Sequence, residues 1–134
     1  MNVGLALPEG WVDRTVLTYV GPDRGAGSPS IVVTHEELSG DVSLARYAAM
    51  QDAAVRAGLE GVDRLDDRET TVAGRPAVCQ TYRWTLDGRT MRQRLWCLVE
   101  RESGVTVVAS AADAEFDGLR PVFSAALASI ALGS

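Results

Sequence analysis

Two long strand-like runs meet at Asp87-Gly88, and this pair constrains the fold more than any other feature of the sequence. An Asp-Gly pair accepts the positive φ values that a type I′ turn requires at both of its central positions. The turn therefore predicts a β-hairpin over residues 76–99 in which Leu86 faces Arg89. The rest of the register follows from that one pair, because antiparallel strands advance together by one residue at a time.

The predicted register sorts the hairpin side chains onto two faces of a sheet. One face is largely apolar and pairs Val78, Gln80, Tyr82, Trp84 and Leu86 with Cys97, Leu95, Gln93, Met91 and Arg89. The other is rich in arginine and hydroxyl groups and pairs Cys79, Thr81, Arg83 and Thr85 with Trp96, Arg94, Arg92 and Thr90. The two cysteines fall on different faces, so a disulfide within the chain is geometrically blocked. We predict two free thiols, which fit a reducing compartment.

The composition predicts a single domain over residues 1–134, since 46% of the residues are hydrophobic and can build a core without metals or disulfides. The net charge of −5 disfavours nucleic acid and anionic membrane as partners, because both bind basic surfaces. All 13 basic residues are arginine, so Schiff-base catalysis and a phosphate-binding P-loop, which need lysine, are excluded. The first residues contain no basic n-region and no long apolar run. We therefore expect a cytoplasmic protein that does not itself insert into a membrane.

Strand-like and helical segments follow one another along the rest of the chain. Ser43 is a candidate N-cap for an amphipathic helix that Gly58 ends. An apolar stripe from Leu119 to Ile130 predicts a core helix with Pro121 near its start, where a missing N–H costs little. Because strands come in succession rather than in strict β-α-β alternation, the fold class is predicted as α+β, with a mainly antiparallel β-sheet flanked by α-helices. Outside the hairpin we predict strands at residues 5–7, 14–20, 30–34, 62–72 and 104–111, and helices at 43–57 and 117–132.

Catalytic and metal-binding patterns are scarce. His35 is the only histidine, and a histidine followed by Glu36-Glu37 is more typical of a solvated strand end than of a metal or acid–base site. The acidic residues at 113, 115 and 117 lack the glycine and the distal glutamate of a calcium loop, and they suit the start of the last helix. The sequence therefore predicts a non-enzymatic protein with no catalytic residue, no metal ligand and no cofactor.

The hairpin brings three arginines together, since Arg83 faces Arg92 and Arg94 lies one pair away. Like charges in this arrangement destabilise a sheet unless acids intervene. One interpretation is an intramolecular charge ladder, and the alternative is a binding face for an anionic ligand or an acidic partner. The acids available for a ladder are Asp63, Asp66, Asp67 and Glu69.

Three segments carry a resemblance to a known family: LPEGWVDRT at residues 7–15, SLARYAAMQ at 43–51 and VAGRPAVCQTYRWTLDGRTMRQR at 72–94. Together they resemble the DcrB-related proteins of the PsbP-like fold. The likeness is greatest to the Eag chaperones, small cytosolic adaptors of type VI secretion effectors. The resemblance implies an antiparallel sheet flanked by helices, a homodimer, and a groove that shelters hydrophobic transmembrane helices of an effector until secretion.

The strands before the hairpin offer apolar surface for such a role. In residues 16–20 and 31–33, apolar side chains occupy odd-numbered as well as even-numbered positions, so both faces of each strand need to be covered. Two helices are not expected to cover all of this apolar surface. The resemblance places the strand after the GW motif in the client groove, and the hydroxyl of Thr18 can bond small polar residues of a client helix. We therefore predict client-helix binding by Val16, Thr18, Val20, Ile31 and Val33, with an ordinary core as the alternative for these residues. The alternative function is a PsbP-like ligand-binding or scaffold module whose face of Arg83, Arg92 and Arg94 holds an anion or an acidic partner.

Overall fold

The computed structural model describes residues 9, 16–23, 25, 27–38 and 40–130. The strand predicted at residues 5–7 and the start of the one at 14–20 lie outside the described residues. The described elements follow the order β1 (Val16–Val20), β2 (Ser30–Glu37), α1 (Leu44–Gly58), β3 (Asp63–Val72), β4 (Arg75–Leu86), β5 (Arg89–Glu100), β6 (Ser103–Ala112) and α2 (Asp113–Ala128).

The strands form one antiparallel sheet in the spatial order β1-β2-β6-β5-β4-β3. The chain leaves β2, passes through α1 and enters the sheet again at the opposite edge as β3. The strands β4, β5 and β6 then follow side by side back across the sheet, and β6 pairs with β2. One face of the sheet carries α1 over β4 and β5, and the other carries α2 over β5 and β6. We call them the α1 face and the α2 face. This architecture confirms the predicted α+β fold with a mainly antiparallel sheet flanked by helices.

The hairpin of β4 and β5 has the predicted register throughout. Asp87 and Gly88 have φ values of 51° and 76°, as a type I′ turn requires, and Leu86 pairs with Arg89. Both cysteines are buried and free. Cys79 lies in the core of the α2 face and Cys97 in that of the α1 face, which confirms the predicted separation.

Each helix closes a hydrophobic core of its own. On the α2 face, the rings of Phe116 and Phe123 lie 5.3 Å apart between their centroids and pack on the middle strands. On the α1 face, Tyr47 is buried against Gly104, where a β-carbon would overlap the tyrosine ring. A glycine at position 104 therefore permits the close approach of α1 to the sheet.

The helix starts agree with the sequence in one case and differ in the other. α1 begins as predicted, with Ser43 Oγ accepting a hydrogen bond from the Arg46 amide at 3.1 Å. α2 begins at Asp113 rather than near Asp117, because β6 runs directly into the helix through Ala112. Pro121 consequently lies inside α2 and not near its start. At this interior position it supplies no N–H for a hydrogen bond to the preceding turn. The acids of the first turn lie where the helix dipole favours negative charge, as predicted.

Candidate functional site

β1 is an edge strand and the least covered element of the described fold. All five of its residues are exposed, and its large apolar side chains range from 46% accessible at Leu17 to 67% at Val20. α1 packs mainly on β4 and β5, and α2 packs mainly on β5 and β6, so neither helix packs mainly on β1. Within the described residues, the two helices thus leave apolar surface on β1 open to solvent.

The pairing of β1 with β2 divides the predicted client residues between two faces. Val16, Thr18 and Val20 lie on the α1 face, whereas Ile31 and Val33 pack against the core of the α2 face. The reason is the register, in which even-numbered residues of both strands share one face and odd-numbered residues share the other. The five residues therefore do not form one surface. The β1 side chains that share a face with Ile31 and Val33 are Leu17 and Tyr19.

An apolar trough runs along the α2 face between the β1–β2 pair and α2. It has a larger part of about 1100 Å³ and a smaller part of about 500 Å³, which meet at Tyr19, Ile31 and Phe123. β1 forms one wall, α2 forms the other, and β2 and β6 form the floor. The principal apolar lining residues are Leu17, Tyr19, Ile31, Val33, Phe123 and Leu127.

Charged groups lie at the two ends of the trough. His35, on the same face of β2 as Val33, lines one end with Glu100 and Arg101, and Glu115 lines the other. Glu100 is also ion-paired with Arg75. Since the middle of the trough is apolar, it suits an apolar chain segment better than a charged or reactive substrate.

The α1 face of β1 and β2 has a different chemical character. Valines alternate there with hydroxyl side chains, and the Thr34 and Thr106 hydroxyls are hydrogen-bonded to each other across the β2–β6 pair. We call this surface the hydroxyl strip. It consists of Val16, Thr18, Val20, Ser30, Val32 and Thr34.

Two of the three clustered arginines have partners from α2. Arg92 donates from Nε to Asp113 at 2.7 Å and from Nη1 to Asp117 at 3.3 Å. Its guanidinium carbon lies 5.7 Å from the Phe116 ring centroid, and that of Arg94 lies 5.5 Å from the same centroid. Both guanidinium groups thus help to hold α2 on the sheet, and Arg92 is already neutralised.

The predicted acidic ladder on β3 takes another form. Asp66 pairs with Arg68 and Asp67 pairs with Arg64, so these carboxylates neutralise arginines of their own strand. Arg83 lies opposite Asp63, in a shallow depression also lined by Glu60 and Asp113. Three carboxylates around Arg83 make this depression unfavourable for an anion.

A buried polar network fastens α1 to β4. The Tyr82 hydroxyl lies 2.7 Å from Asp52 Oδ1 and donates to it, and Gln80 Nε2 donates to the Ala48 carbonyl at 3.1 Å. Burial acts to raise the pKa of the Asp52 carboxyl, but hydrogen bonds from Tyr82 and Arg56 outweigh it, so the pKa lies below its usual value. Burial raises the pKa of the Tyr82 hydroxyl. Every buried polar side-chain atom of the described residues has a hydrogen-bond partner, so the network is a structural clamp.

The residues that shape the trough were not predicted as a binding site from the sequence. Leu17 and Tyr19 were part of an apolar run, but the nine-residue connection between β1 and β2 does not fix their register as a two-residue turn does. Val122 and Leu127 belonged to the predicted core stripe of α2 and not to a surface. The available signal was the uniform hydrophobicity of the β1 segment, which favours cover on both faces.

Two negative observations concern the described residues only. No group of three or more histidine, cysteine, aspartate or glutamate side chains in them is placed to hold a metal ion. Neither helix among them has the length and apolar character needed to cross a bilayer.

Comparisons with known proteins give the family and the fold. The family model described as DcrB matches residues 3–129. The crystal structure of PA94 from Pseudomonas aeruginosa, described as a protein of unknown function, has a TM-score of 0.82 at 21% identity, over 97% of this chain and 91% of that one. LpqN of Mycobacterium tuberculosis, described as involved in cell envelope biogenesis, has a TM-score of 0.58 at 19% identity, over 86% of this chain and 78% of that one.

A third solved structure identifies the fold type. Cyanobacterial PsbP from Synechocystis sp. PCC 6803 has a TM-score of 0.53 at 13% identity, over 93% of this chain and 96% of that one. At these identities the structural likeness bears on the fold alone, and the fold is PsbP-like. A comparison with curated proteins gives no match.

Proposed function

Since this chain belongs to the DcrB family, we propose that it is a non-enzymatic adaptor that shelters an apolar helix of a partner protein. The observation that carries the proposal is the trough between β1 and α2, whose middle is apolar and whose β1 wall is exposed. A surface of this kind is costly to leave in water and is typical of an interaction site.

The dimensions of the trough fit a helix. α2, which forms one wall, has 16 residues and is therefore about 24 Å long at 1.5 Å per residue. A partner helix lying parallel to it would present about four turns, with apolar side chains at every third or fourth position. Each aliphatic side chain that it buries contributes roughly 1.5 to 3 kcal/mol, against which the cost of ordering the complex must be set.

The more specific form of the proposal follows from the resemblance of three sequence segments to the Eag chaperones. In this form the client is a transmembrane helix of a type VI secretion effector, and the adaptor acts as a homodimer in the cytoplasm. The resemblance assigns the client to the strand after the GW motif, which is β1 here. We place the client against Leu17 and Tyr19 rather than Val16 and Thr18, because only the former face the trough.

The test uses Val122, a trough-lining residue on α2 that is 57% exposed, so that a charge there need not disturb the core. The probe is a synthetic leucine–alanine helix of about 20 residues, the length that spans a bilayer. We expect Val122→Asp to weaken peptide binding by about 2 to 3 kcal/mol, or about 30- to 150-fold, because the aspartate must be desolvated against an apolar partner.

The matched control is Leu86→Asp, since Leu86 is 62% exposed at the far end of β4 and does not line the trough. It should bind the peptide as the unchanged protein does. Equal binding by Val122→Asp and the control would refute the trough as the site. Coexpression with the product of a neighbouring gene that has paired apolar segments then tests the effector form of the proposal with the same variants.

The alternative function, anion binding by Arg83, Arg92 and Arg94, has weaker support. Asp113 and Asp117 already neutralise Arg92, and three carboxylates surround Arg83. An anion would have to displace these acids. We therefore rank this function below helix binding.

A further inference from the structure

We propose that the smaller part of the trough binds a basic residue of the partner helix, and that Glu115 is the group that recognises its positive charge. This inference rests on the proposed function and deepens it, because it specifies the chemistry of the helix that the trough accepts. The starting observation is the lining of the smaller part. It is apolar over most of its surface, and among the described residues that line it one carries a carboxylate, Glu115.

Glu115 differs in its position from the other two acids at the start of α2. Asp113 and Asp117 both accept hydrogen bonds from Arg92. Residues four apart share one side of a helix, whereas the residue midway between them lies on the opposite side. Glu115 is accordingly turned away from Arg92, is half-buried and lines the trough. It brings a negative charge into an otherwise apolar surface.

The apolar neighbours of Glu115 suit the aliphatic part of a basic side chain. Tyr19, Pro22 and Val122 line the same part of the trough. Lysine and arginine bury their methylene groups along such a surface while the charged end stays at its rim. An apolar side chain would desolvate the carboxylate without a compensating interaction, and an acidic side chain would be repelled. The smaller part therefore favours a basic residue over an apolar or an acidic one.

The other end of the trough offers a different setting. Its carboxylate, Glu100, is ion-paired with Arg75, and Arg101 also lines this end. A basic residue of the partner would meet a guanidinium group there, beside a carboxylate that already has a partner. The two ends thus differ in their response to a positive charge. A helix with a basic residue at one terminus should bind in one direction, with that terminus next to the start of α2.

The geometry of α2 also indicates where the basic residue belongs in the partner. Along the helix axis Glu115 lies about 10 Å from Val122, at about 1.5 Å per residue. In a partner helix that lies alongside α2, the basic residue is therefore about two turns beyond the apolar side chain that contacts Val122. This places it in the terminal turn of the apolar segment.

The test is a double-mutant cycle between the protein and a synthetic helix. Two leucine–alanine helices of about 20 residues carry either lysine or norleucine in the terminal turn. Norleucine keeps the aliphatic chain of lysine and lacks the ammonium group. Binding of each peptide to the unchanged protein, Glu115→Gln and Glu69→Gln is measured by titration calorimetry. Glu69→Gln is the matched control, because it removes the same charge from an exposed position on β3, at the opposite edge of the sheet from β1.

We expect the affinity ratio of the lysine peptide to the norleucine peptide to be about 3- to 10-fold larger for the unchanged protein than for Glu115→Gln. A solvent-exposed ion pair contributes up to about fivefold, and the bound helix covers this pair from water. Glu69→Gln should give the ratio of the unchanged protein. The effect of Glu115 should decrease between about 0.05 M and about 0.5 M NaCl, because salt screens the charges.

The direction of binding is measured with a nitroxide label beside the lysine. The label should broaden the amide signal of Gly118, which lines the smaller part, and spare that of Ser103, which lines the larger part. This should hold whether the lysine is in the first or the last turn of the peptide. The measurement uses the unchanged protein, so together with the salt dependence it decides the case if Glu115→Gln does not fold.

The outcomes separate this inference from the proposed function. If both peptides bind but the affinity ratio is the same for the unchanged protein and Glu115→Gln, or the label broadens Ser103 rather than Gly118, the inference is overturned and the trough remains the binding site. A role of Glu115 confined to the dipole of α2 would lower the Tm of Glu115→Gln and leave the ratio unaltered, which also overturns it. If neither peptide binds, the proposed function fails and this inference fails with it.

Discussion

Replacement of Gly104 by alanine tests whether α1 is held as closely to the sheet as the structure indicates. A β-carbon at this position would lie 2.8 Å from the Tyr47 hydroxyl oxygen and closer still to two carbons of the ring. Tyr47 is only 1% exposed, so any movement of its ring has to displace other atoms of the core. The substitution therefore overpacks the core of the α1 face.

The expected magnitude follows from two opposing effects. Overpacking costs about 1 to 3 kcal/mol, whereas a Gly-to-Ala change restricts the unfolded chain and returns about 0.4 to 1 kcal/mol. The two effects combine to a net loss of up to about 2.6 kcal/mol, which lowers the Tm by up to about 9 °C for a chain of this size. The measurement is urea unfolding followed by circular dichroism, with the Tm from thermal melting.

Gly118→Ala is the matched control, because a β-carbon at Gly118 would meet nothing within 4 Å. This position lies in α2, where alanine is favoured over glycine by about 1 kcal/mol, so the control should be more stable than the unchanged protein. Tyr47→Leu should cost less stability in the Gly104→Ala background than alone, since it relieves the overlap. If Gly104→Ala unfolds at the same urea concentration as Gly118→Ala, the close packing of Tyr47 is wrong.

Three further predictions concern titration, anions and thiols. Despite burial, hydrogen bonds from Tyr82 and Arg56 lower the pKa of the Asp52 carboxyl in the folded state, so its stabilisation is present at neutral pH and is lost as the pH falls through that lowered pKa. The difference in unfolding free energy between the unchanged protein and Asp52→Asn should therefore shrink from neutral to acidic pH, and a constant difference would contradict the ionic role of Asp52. Arg92→Ala should lower the free energy of unfolding by about 1 to 3 kcal/mol, because the side chain loses its partners on α2. Added phosphate should leave the Tm of the unchanged protein and of Arg92→Ala the same. A rise in Tm with phosphate in the unchanged protein alone would favour the anion-binding alternative. Burial raises the pKa of the Cys79 thiol and raises that of Cys97 to about 12, so neither should react with a thiol reagent at pH 8 until urea unfolds the chain, and rapid labelling without urea would refute their burial.

The local sequence was sufficient to predict the structure wherever one short-range feature specifies the backbone geometry. Asp87-Gly88 determined the register of β4 and β5, and with it the faces of both cysteines, because only a two-residue turn with two positive φ values joins strands at that pair. Ser43 marked the start of α1 through a hydrogen bond that closes within one turn. Both predictions depend on atoms that are a few residues apart in the chain.

The trough, in contrast, was decided by contacts between distant segments. The pairing of β1 with β2 across a long connection set Leu17 and Tyr19, rather than Val16 and Thr18, on the α2 face. Asp113 and Asp117 neutralise Arg92 because β6 leads directly into α2 beside the hairpin, an arrangement that the order of residues does not display. Alternation along a strand determines which side chains share a face, but only the assembled sheet determines which helix covers that face and where the cover ends.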